Sequence, residues 1–304
     1  MILHKNSSGT SNILYSHALL TYITLCVIIP LKEVYRYEKA DEQSIVNIYK
    51  SAVQFLYSKY IDNSELLWYN KTKRQRRLED MKTIVIGDIH GCYDELNELI
   101  TSLKENGEYN KDTDKIVFLG DYIDRGKNSR KVIELIRNLQ KENKNVIALM
   151  GNHEDMLIGY YADRDESWMF NGYNETLKSY EGFNKQFWDD VAWMKQLPLY
   201  HEDENFVYVH AGIDVEKPMD EQDRNTLLWV RDDFIYDGRK YHKRVIFGHT
   251  PTFSLGMDEA PVITFADNID IDTGCVYNGK LTALIIENGV ADAFYQVKKD
   301  AVTQ

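Results

Sequence analysis

Cysteine is scarce in this chain. The three among 304 residues, Cys26, Cys92 and Cys275, are odd in number and show neither a C-x-x-C pair nor a zinc-ligand spacing, which implies a reducing, cytoplasmic compartment. Positive charge is also short. With 36 Lys and Arg against 48 Asp and Glu, the formal net charge is −12, which argues against a nucleic-acid partner because phosphate backbones are gripped by an excess of basic side chains. Internal repeats and low-complexity tracts are missing, so repeat architectures drop out. What is present, 43% hydrophobic and 28% charged residues, suits a globular protein with one substantial core, with or without a small appendage.

Residues 13–31 contain no Asp, Glu, Lys or Arg, and the run just reaches the length of a membrane span. Ser16, His17, Thr21, Thr24 and two tyrosines dilute it, and no small-residue cleavage site follows, which counts against a cleaved signal peptide. Membrane contact is therefore expected only through residues 13–31. Were that run to span, Lys32, Arg36 and Lys39 behind it outweigh Lys5 in front, leaving the C-terminal body anchored on the cytoplasmic side. Over 44–60, Val46, Tyr49, Val53, Leu56 and Tyr60 recur at helical spacing. The basic run KTKRQRR (71–77) reads as a solvated linker.

Met81 opens a different pattern. The short β-branched runs TIVIG (83–87), KIVFLG (115–120) and NVIALMG (145–151) are separated by amphipathic stretches around 94–105 and 129–142, which predicts an α/β sheet flanked by helices. Residues 172–196 look helical and aromatic-rich. FVYVH, RVIFGH, PVITF and KLTALII follow after Asn205 with less helix between them, pointing to a second, more antiparallel sheet. The chain thus divides into residues 1–80, read as a non-native or dispensable extension, a membrane or partner-binding leader, or a packed helical appendage, and a compact body over 81–304.

Polar residues stand at the C-terminal end of one apolar run after another: Asp88 and His90, Asp121, Asn152 and His153, His210, and His249. Open α/β sheets place ligands where strands end, so these separated segments are expected to converge. Carboxylate, imidazole and amide oxygen are the donors that hold cations such as Mn, Fe and Zn, and Asp88, His90, Asp121, Asn152, His210 and His249 supply six, about what two metals with open positions need. Each alone reads more naturally as a cap or a satisfied core residue; the repeated placement after strands reverses that weighting. Gly87, Gly91, Gly120, Gly126, Gly151 and Gly248 beside them allow tight turns and close backbone approach.

GDIHG (87–91), GDYIDRG (120–126) and GNHE (151–154), followed by VHAG (209–212), LLWVR (227–231) and FGHTP (247–251), resemble in order the blocks of the phosphoprotein phosphatase family within the calcineurin-like metallophosphoesterases, above all the lambda-phage and bacterial type. The resemblance covers 81–304 and implies a two-sheet β sandwich flanked by helices (α/β/β/α). It implies two divalent metal ions, with manganese expected and iron or zinc as alternatives. Asp88, His90 and Asp121 would hold one, and Asp121, Asn152, His210 and His249 the other. It further implies His153 as general acid, Asp124 as its orienting carboxylate, and Arg125 and Arg231 as phosphate clamps, whose planar forks match phosphate oxygens in pairs. A surface ion pair with Asp232 or Asp233 is the plain alternative for Arg231. Cys92 is expected to be a small buried residue rather than a nucleophile.

Two branches of the family compete. Symmetric diadenosine tetraphosphatases share the opening GD-x-HGCYDEL (87–96) but typically carry GNHD, whereas this chain has Glu154; that difference and GDYIDRG favour a serine/threonine protein phosphatase, whose substrate is a phosphoprotein or phosphopeptide. Tyr173, Tyr180, Phe183, Phe187, Trp188 and Trp193 read either as a cover over the metals or as a core stripe. A binding module that keeps the fold without the chemistry would need a lost ligand or acid, and none of the positions is missing.

Overall fold

The runs TIVIG, KIVFLG, FVYVH and RVIFGH form strands because their side chains are buried on both faces along almost their whole length. β1 (Thr83–Ile86) is followed by α1 (Tyr93–Glu105), β2 (Lys115–Phe118), α2 (Ser129–Glu142), β3 (Val146–Ala148) and α3 (Asn152–Ala162). Then come α4 (Tyr173–Tyr180), α5 (Lys185–Met194), β4 (Tyr200–Glu202), β5 (Phe206–Val209), α6 (Arg224–Trp229), α7 (Asp232–Ile235), β6 (Arg244–Phe247), β7 (Val262–Ile263), β8 (Ile269–Asp270), β9 (Lys280–Glu287) and β10 (Val290–Lys298). The computed structural model describes residues 81–257, 260–264 and 266–299. The apolar run 13–31, the helical pattern over 44–60 and the basic run 71–77 lie outside the described residues. Among the described residues, no helix is long and apolar enough to cross a membrane.

Among the described residues two five-stranded sheets result, in the orders β10-β9-β1-β2-β3 and β4-β5-β6-β8-β7. Val85, Val117, Leu119 and Leu149 of the first meet Phe206, Tyr208, Ile246 and Ile269 of the second in one buried cluster. Ile84 and Ile86, the alternate side chains of β1, point the other way into a larger cluster with α1 and α2. The helices reach it with residues at three- and four-residue spacing: Leu96, Leu99, Ile100 and Leu103 from α1, and Val132, Ile133, Ile136 and Leu139 from α2. A third cluster, including Leu227, Phe234 and Ile235, covers the outer face of the second sheet. The layers are helix, sheet, sheet, helix, as expected.

The expectation of a more antiparallel second sheet needs correcting. Both sheets are mixed: β1–β2 and β2–β3 are parallel and β1–β9 and β9–β10 antiparallel, while β5–β6 and β6–β8 are parallel and β4–β5 and β7–β8 antiparallel. KLTALII also returns to the first sheet, pairing with β1 from Thr83↔Ile286 to Ile86↔Ala283. A doubly buried strand reads as an apolar run whichever partner it takes, so pairing is not written in its composition. The β9–β10 hairpin closes through Asn288 and Gly289, both at positive φ (52° and 74°), the turn whose twist matches the flanking strands.

Candidate active site

Because β1, β2 and β3 run parallel in one sheet and β5 and β6 parallel in the other, their C-terminal ends deliver side chains to a common edge. Asp88, His90, Asp121, Asp124, Asn152, His153, His210 and His249 are all buried there. Two groups form around one shared residue: His90, Asp121 and His153, and Asp121, His210 and His249, each with its donor atoms within 4.8 Å of one another. Asp121 Oδ2 lies 3.2 Å from His90 Nε2 and 4.0 Å from His153 Nε2, and its Oδ1 lies 3.5 Å from His210 Nε2. Asp88 sits beside these groups, its Oδ2 accepting the His249 amide at 3.1 Å.

The backbone is bent hard to achieve this. His90, Asp121, Asp124, Arg125 and His249 all have φ between 45° and 71°, a region that side chains other than glycine enter at a cost and that concentrates at functional sites. Glu154 holds the turn after β2. Its carboxylate accepts the amides of Asp121 (2.9 Å), Tyr122 (2.8 Å), Ile123 (3.3 Å) and Gly151 (3.0 Å). Burial, then the neighbouring Asp121, pushes its pKa up to about 8 against those amides, which favour the ionised form. The glycines are required by contact: a Cβ on Gly126 would stand 2.0 Å from the His90 carbonyl oxygen, and one on Gly151 would stand 2.2 Å from Asp121 Oδ1.

The donor set fits cations. His210 Nδ1 lies 3.0 Å from the Leu119 carbonyl, which can only accept, so Nδ1 carries the proton and Nε2 a lone pair. That lone pair faces Asn152 Oδ1 at 2.9 Å, and His249 Nδ1 approaches the same oxygen at 3.0 Å. Burial lowers His210 to about 4 and His249 to about 2, so no second proton is shared at neutral pH. One of the two contacts can be a hydrogen bond; the other opposes two acceptors, which a cation between them would turn into coordination. His90 repeats the logic, with Nδ1 on the Ile123 carbonyl at 2.9 Å and Nε2 turned towards Asp121. Asp88 Oδ1 is buried with no hydrogen-bond partner among the described residues, and burial, followed by Asp272, Asp121 and Asp270, raises its pKa well above the ordinary range. Burial also pushes Asp121 up, but His210, His153 and His90 outweigh it and hold its carboxyl well below the usual range.

His153 is poised differently. Its Nδ1 lies 2.7 Å from Asp124 Oδ2, and Asp124 is fixed in turn by the Thr176 hydroxyl at 2.6 Å and the Trp168 indole N–H at 3.0 Å. Arg125 reaches His90 Nε2 with Nη1 at 2.7 Å. Arg231 donates from Nη1 to the His249 carbonyl (3.0 Å) and Thr250 Oγ1 (3.1 Å), so its guanidinium is turned to the cluster rather than to Asp232 or Asp233. The ten residues expected to bind metal or phosphate or to act as the acid and its partner therefore lie at this edge. The aromatic stretch resolves mainly as core: Tyr180 and Phe187 are buried, and Tyr173 and Trp193 pack on the core, while Phe183 and Trp188 are exposed. Cys92 is buried, as expected.

Residues 81–283 match the calcineurin-like phosphoesterase family. The chain belongs to that family. This metallophosphoesterase is 33% identical over 229 residues to the asymmetrical bis(5'-nucleosyl)-tetraphosphatase PrpE of Oceanobacillus iheyensis, covering 67% of this chain and 88% of the relative. It is 30% identical over 235 residues to the protein of the same name from Bacillus mycoides, covering 67% and 90%. Among solved structures, a candidate diadenosine tetraphosphatase superposes with a TM-score of 0.53 at 20% identity, over 72% of this chain and 98% of that one. A serine/threonine phosphatase from Saccharomyces cerevisiae superposes with a TM-score of 0.50 at 16% identity, over 74% and 82%. At those identities the two structures show a shared fold.

Four side chains beside the candidate site were not singled out in the sequence. Asp270 and Asp272, in and just after β8, are buried carboxylates beside Asp88. Burial and Asp272 raise Asp270 well above the usual range, and burial pushes Asp272 up to about 6. The two acids follow no apolar run, lying in the alternation Ile269–Asp270–Ile271–Asp272 beyond the polar pair Asp267 and Asn268, so the strand-end pattern that marks Asp88 does not mark them. Trp168 and Thr176 carried no signal either, because their contact with Asp124 spans 44 and 52 residues.

Proposed function

We propose that this protein hydrolyses the polyphosphate chain of dinucleoside polyphosphates, cutting asymmetrically so that diadenosine tetraphosphate yields ATP and AMP. The observation that carries this reading is that relatives about a third identical, matched over most of their own length, are named for that asymmetrical reaction. The competing reading, a serine/threonine protein phosphatase acting on a phosphoprotein or phosphopeptide, leaned on GDYIDRG and on Glu154. That side chain is fully buried and spends its carboxylate on four backbone amides, so its identity reports how a loop is anchored rather than which phosphoester enters. A nucleic-acid partner is not expected of so acidic a chain, and the reducing compartment read from the cysteines is the cytoplasm.

In this scheme Asp88, His90 and Asp121 hold one divalent cation and Asp121, Asn152, His210 and His249 the other, with manganese first and iron or zinc as alternatives. Such ions, when bound, supply Lewis acidity towards phosphate oxygens and lower the pKa of water so that it attacks phosphorus at neutral pH. Arg125 and Arg231 grip the phosphate oxygens and neutralise charge that grows in the transition state. Asp124 holds His153 through Nδ1, leaving Nε2 to deliver a proton to the oxygen that departs as the phosphorus–oxygen bond breaks. Trp168 and Thr176 fix Asp124 and so position the acid at one remove.

The test compares diadenosine tetraphosphate, a phosphoserine peptide and a phosphotyrosine peptide on metal-reconstituted enzyme, with nucleotide products separated by chromatography. ATP and AMP in equal amounts, at a kcat/KM above that for either peptide, is the expected result. Two ADP would make the cut symmetric, and a preference for a phosphopeptide would restore the protein phosphatase reading.

A further inference from the structure

Two half-exposed aromatic rings follow in series from the arginine beside His90, the first against its guanidinium and the second against the first ring. Arg125, whose Nη1 is 2.7 Å from His90 Nε2, lays its guanidinium carbon 5.4 Å from the ring centroid of Tyr277. Tyr277 in turn meets Phe253 edge to face, with centroids 5.6 Å apart and planes at 77°. The two rings are 47% and 50% exposed, in contrast to the aromatics around α4 and α5, most of which pack on the core.

Both rings are rigidly mounted. Tyr277 ends the short 3-10 turn Cys275–Tyr277 between two left-handed residues, Gly274 (φ 69°) and Asn278 (φ 68°). The amides of Tyr277 and Gly279 both bond to the Gly274 carbonyl, at 2.9 and 3.0 Å. Phe253, in the turn Thr252–Leu255, lies so close to Gly274 that a Cβ there would come within 2.8 Å of its ring. The Thr252 amide bonds to the Asp272 carbonyl at 2.8 Å, tying this turn to the strand-end loop that carries the buried acids. Exposed aromatic area held at fixed orientation is costly in water unless something stacks on it, and a flat ligand that does so loses little side-chain entropy.

We infer that Tyr277 and Phe253 form the nucleobase-binding platform of this enzyme, stacking the base of the nucleotide whose phosphate lies on Arg125. The inference rests on the dinucleoside polyphosphate reading and adds to it the side chains that recognise the base. The order of chemistry along the surface matches the order within a nucleotide: cation ligands, then a guanidinium for phosphate, then two π-faces for the ring. A phosphoserine or phosphothreonine side chain offers no planar group at that place, so the platform separates nucleotide from peptide. Stacking on such a ring strengthens binding by about ten- to a hundredfold and tolerates any base, because every base has a π-face.

The test uses the full chain reconstituted with manganese. For wild type and for Tyr277→Leu, Tyr277→Phe and Phe253→Leu, one measures KM and kcat for diadenosine tetraphosphate and the inhibition constant of inorganic tripolyphosphate, which carries phosphates but no base. Tyr277→Leu is expected to raise KM about tenfold or more, with a much smaller rise in the tripolyphosphate inhibition constant. Tyr277→Phe, which keeps the π-face, should restore KM, and Phe253→Leu should weaken the base-bearing substrate in the same selective way. KM and inhibition constant rising in parallel, or neither moving, would overturn the platform while leaving the proposed reaction standing. A wild-type enzyme that ignores the dinucleotide and cleaves a phosphopeptide would overturn the reaction itself and the platform with it.

Discussion

Asp121 is the side chain through which both candidate metal positions communicate, since His90 and His153 approach one of its oxygens and His210 the other. Replacing it with Asn removes a charge shared by two sites. Asp121→Asn is expected to lower metal content at both positions, read by elemental analysis, and to cut kcat/KM by at least about a hundredfold; full metal content with full activity would refute the shared role. His153 makes the opposite prediction. His153→Asn should retain the metals but lose about 10²- to 10⁴-fold in kcat, the range for one general acid, and metal loss would show that it is a ligand. The gathering of Asp88, His90, Asp121, Asn152, His153, His210 and His249 at one edge was legible from strand-end position, while Asp124, Arg125 and Arg231 were marked only by the family blocks. The left-handed backbone was legible in neither, because φ at His90, Asp121, Asp124, Arg125 and His249 is imposed by loops that close only against one another.

The turn after β2 and the start of α3 behave as one element because Glu154 joins them. Glu154→Ala leaves four amides without their acceptor, those of Asp121, Tyr122, Ile123 and Gly151. With some relief from entering water, the expected loss is about 3–5 kcal/mol of unfolding free energy, measured by chemical denaturation. Glu154→Asp shortens the reach to those amides. It should lower the melting temperature while leaving the ratio of dinucleotide to phosphopeptide hydrolysis where it was; a switch in that ratio would return Glu154 to the substrate argument. Here the sequence was legible as a motif and illegible as a mechanism, for a single-letter difference from GNHD looks like specificity until the carboxylate's neighbours are known.

Over the molecule as a whole, two sheets must stay docked for the site to exist, because Asp88, Asp121 and Asn152 come from one and His210 and His249 from the other. Cations bound at that seam stabilise the folded form by mass action. Chelation should therefore lower the melting temperature and abolish activity together, with manganese restoring both; undiminished phosphoester hydrolysis after exhaustive chelation would remove metals from the proposal. Residues 81–304 contain the family match and the side chains of the candidate site found among the described residues. Deleting residues 1–80 is expected to leave a folded enzyme with kcat/KM close to that of the full chain, and an unfolded product would mean that the upstream segment packs on the body.

Local signals accounted for much of the described body: β-branched runs for buried strands, three- and four-residue apolar spacing for α1 and α2, and a polar donor after each of β1, β2, β3, β5 and β6. Those signals are short-range, and they survive in one dimension. The return of residues 280–287 to pair with β1, the arrival of Asp270 and Asp272 beside Asp88, and the grip of Trp168 and Thr176 on Asp124 emerged only when the chain was folded. Each is a meeting of distant segments, and an apolar strand or a buried donor carries no mark of the partner it will find.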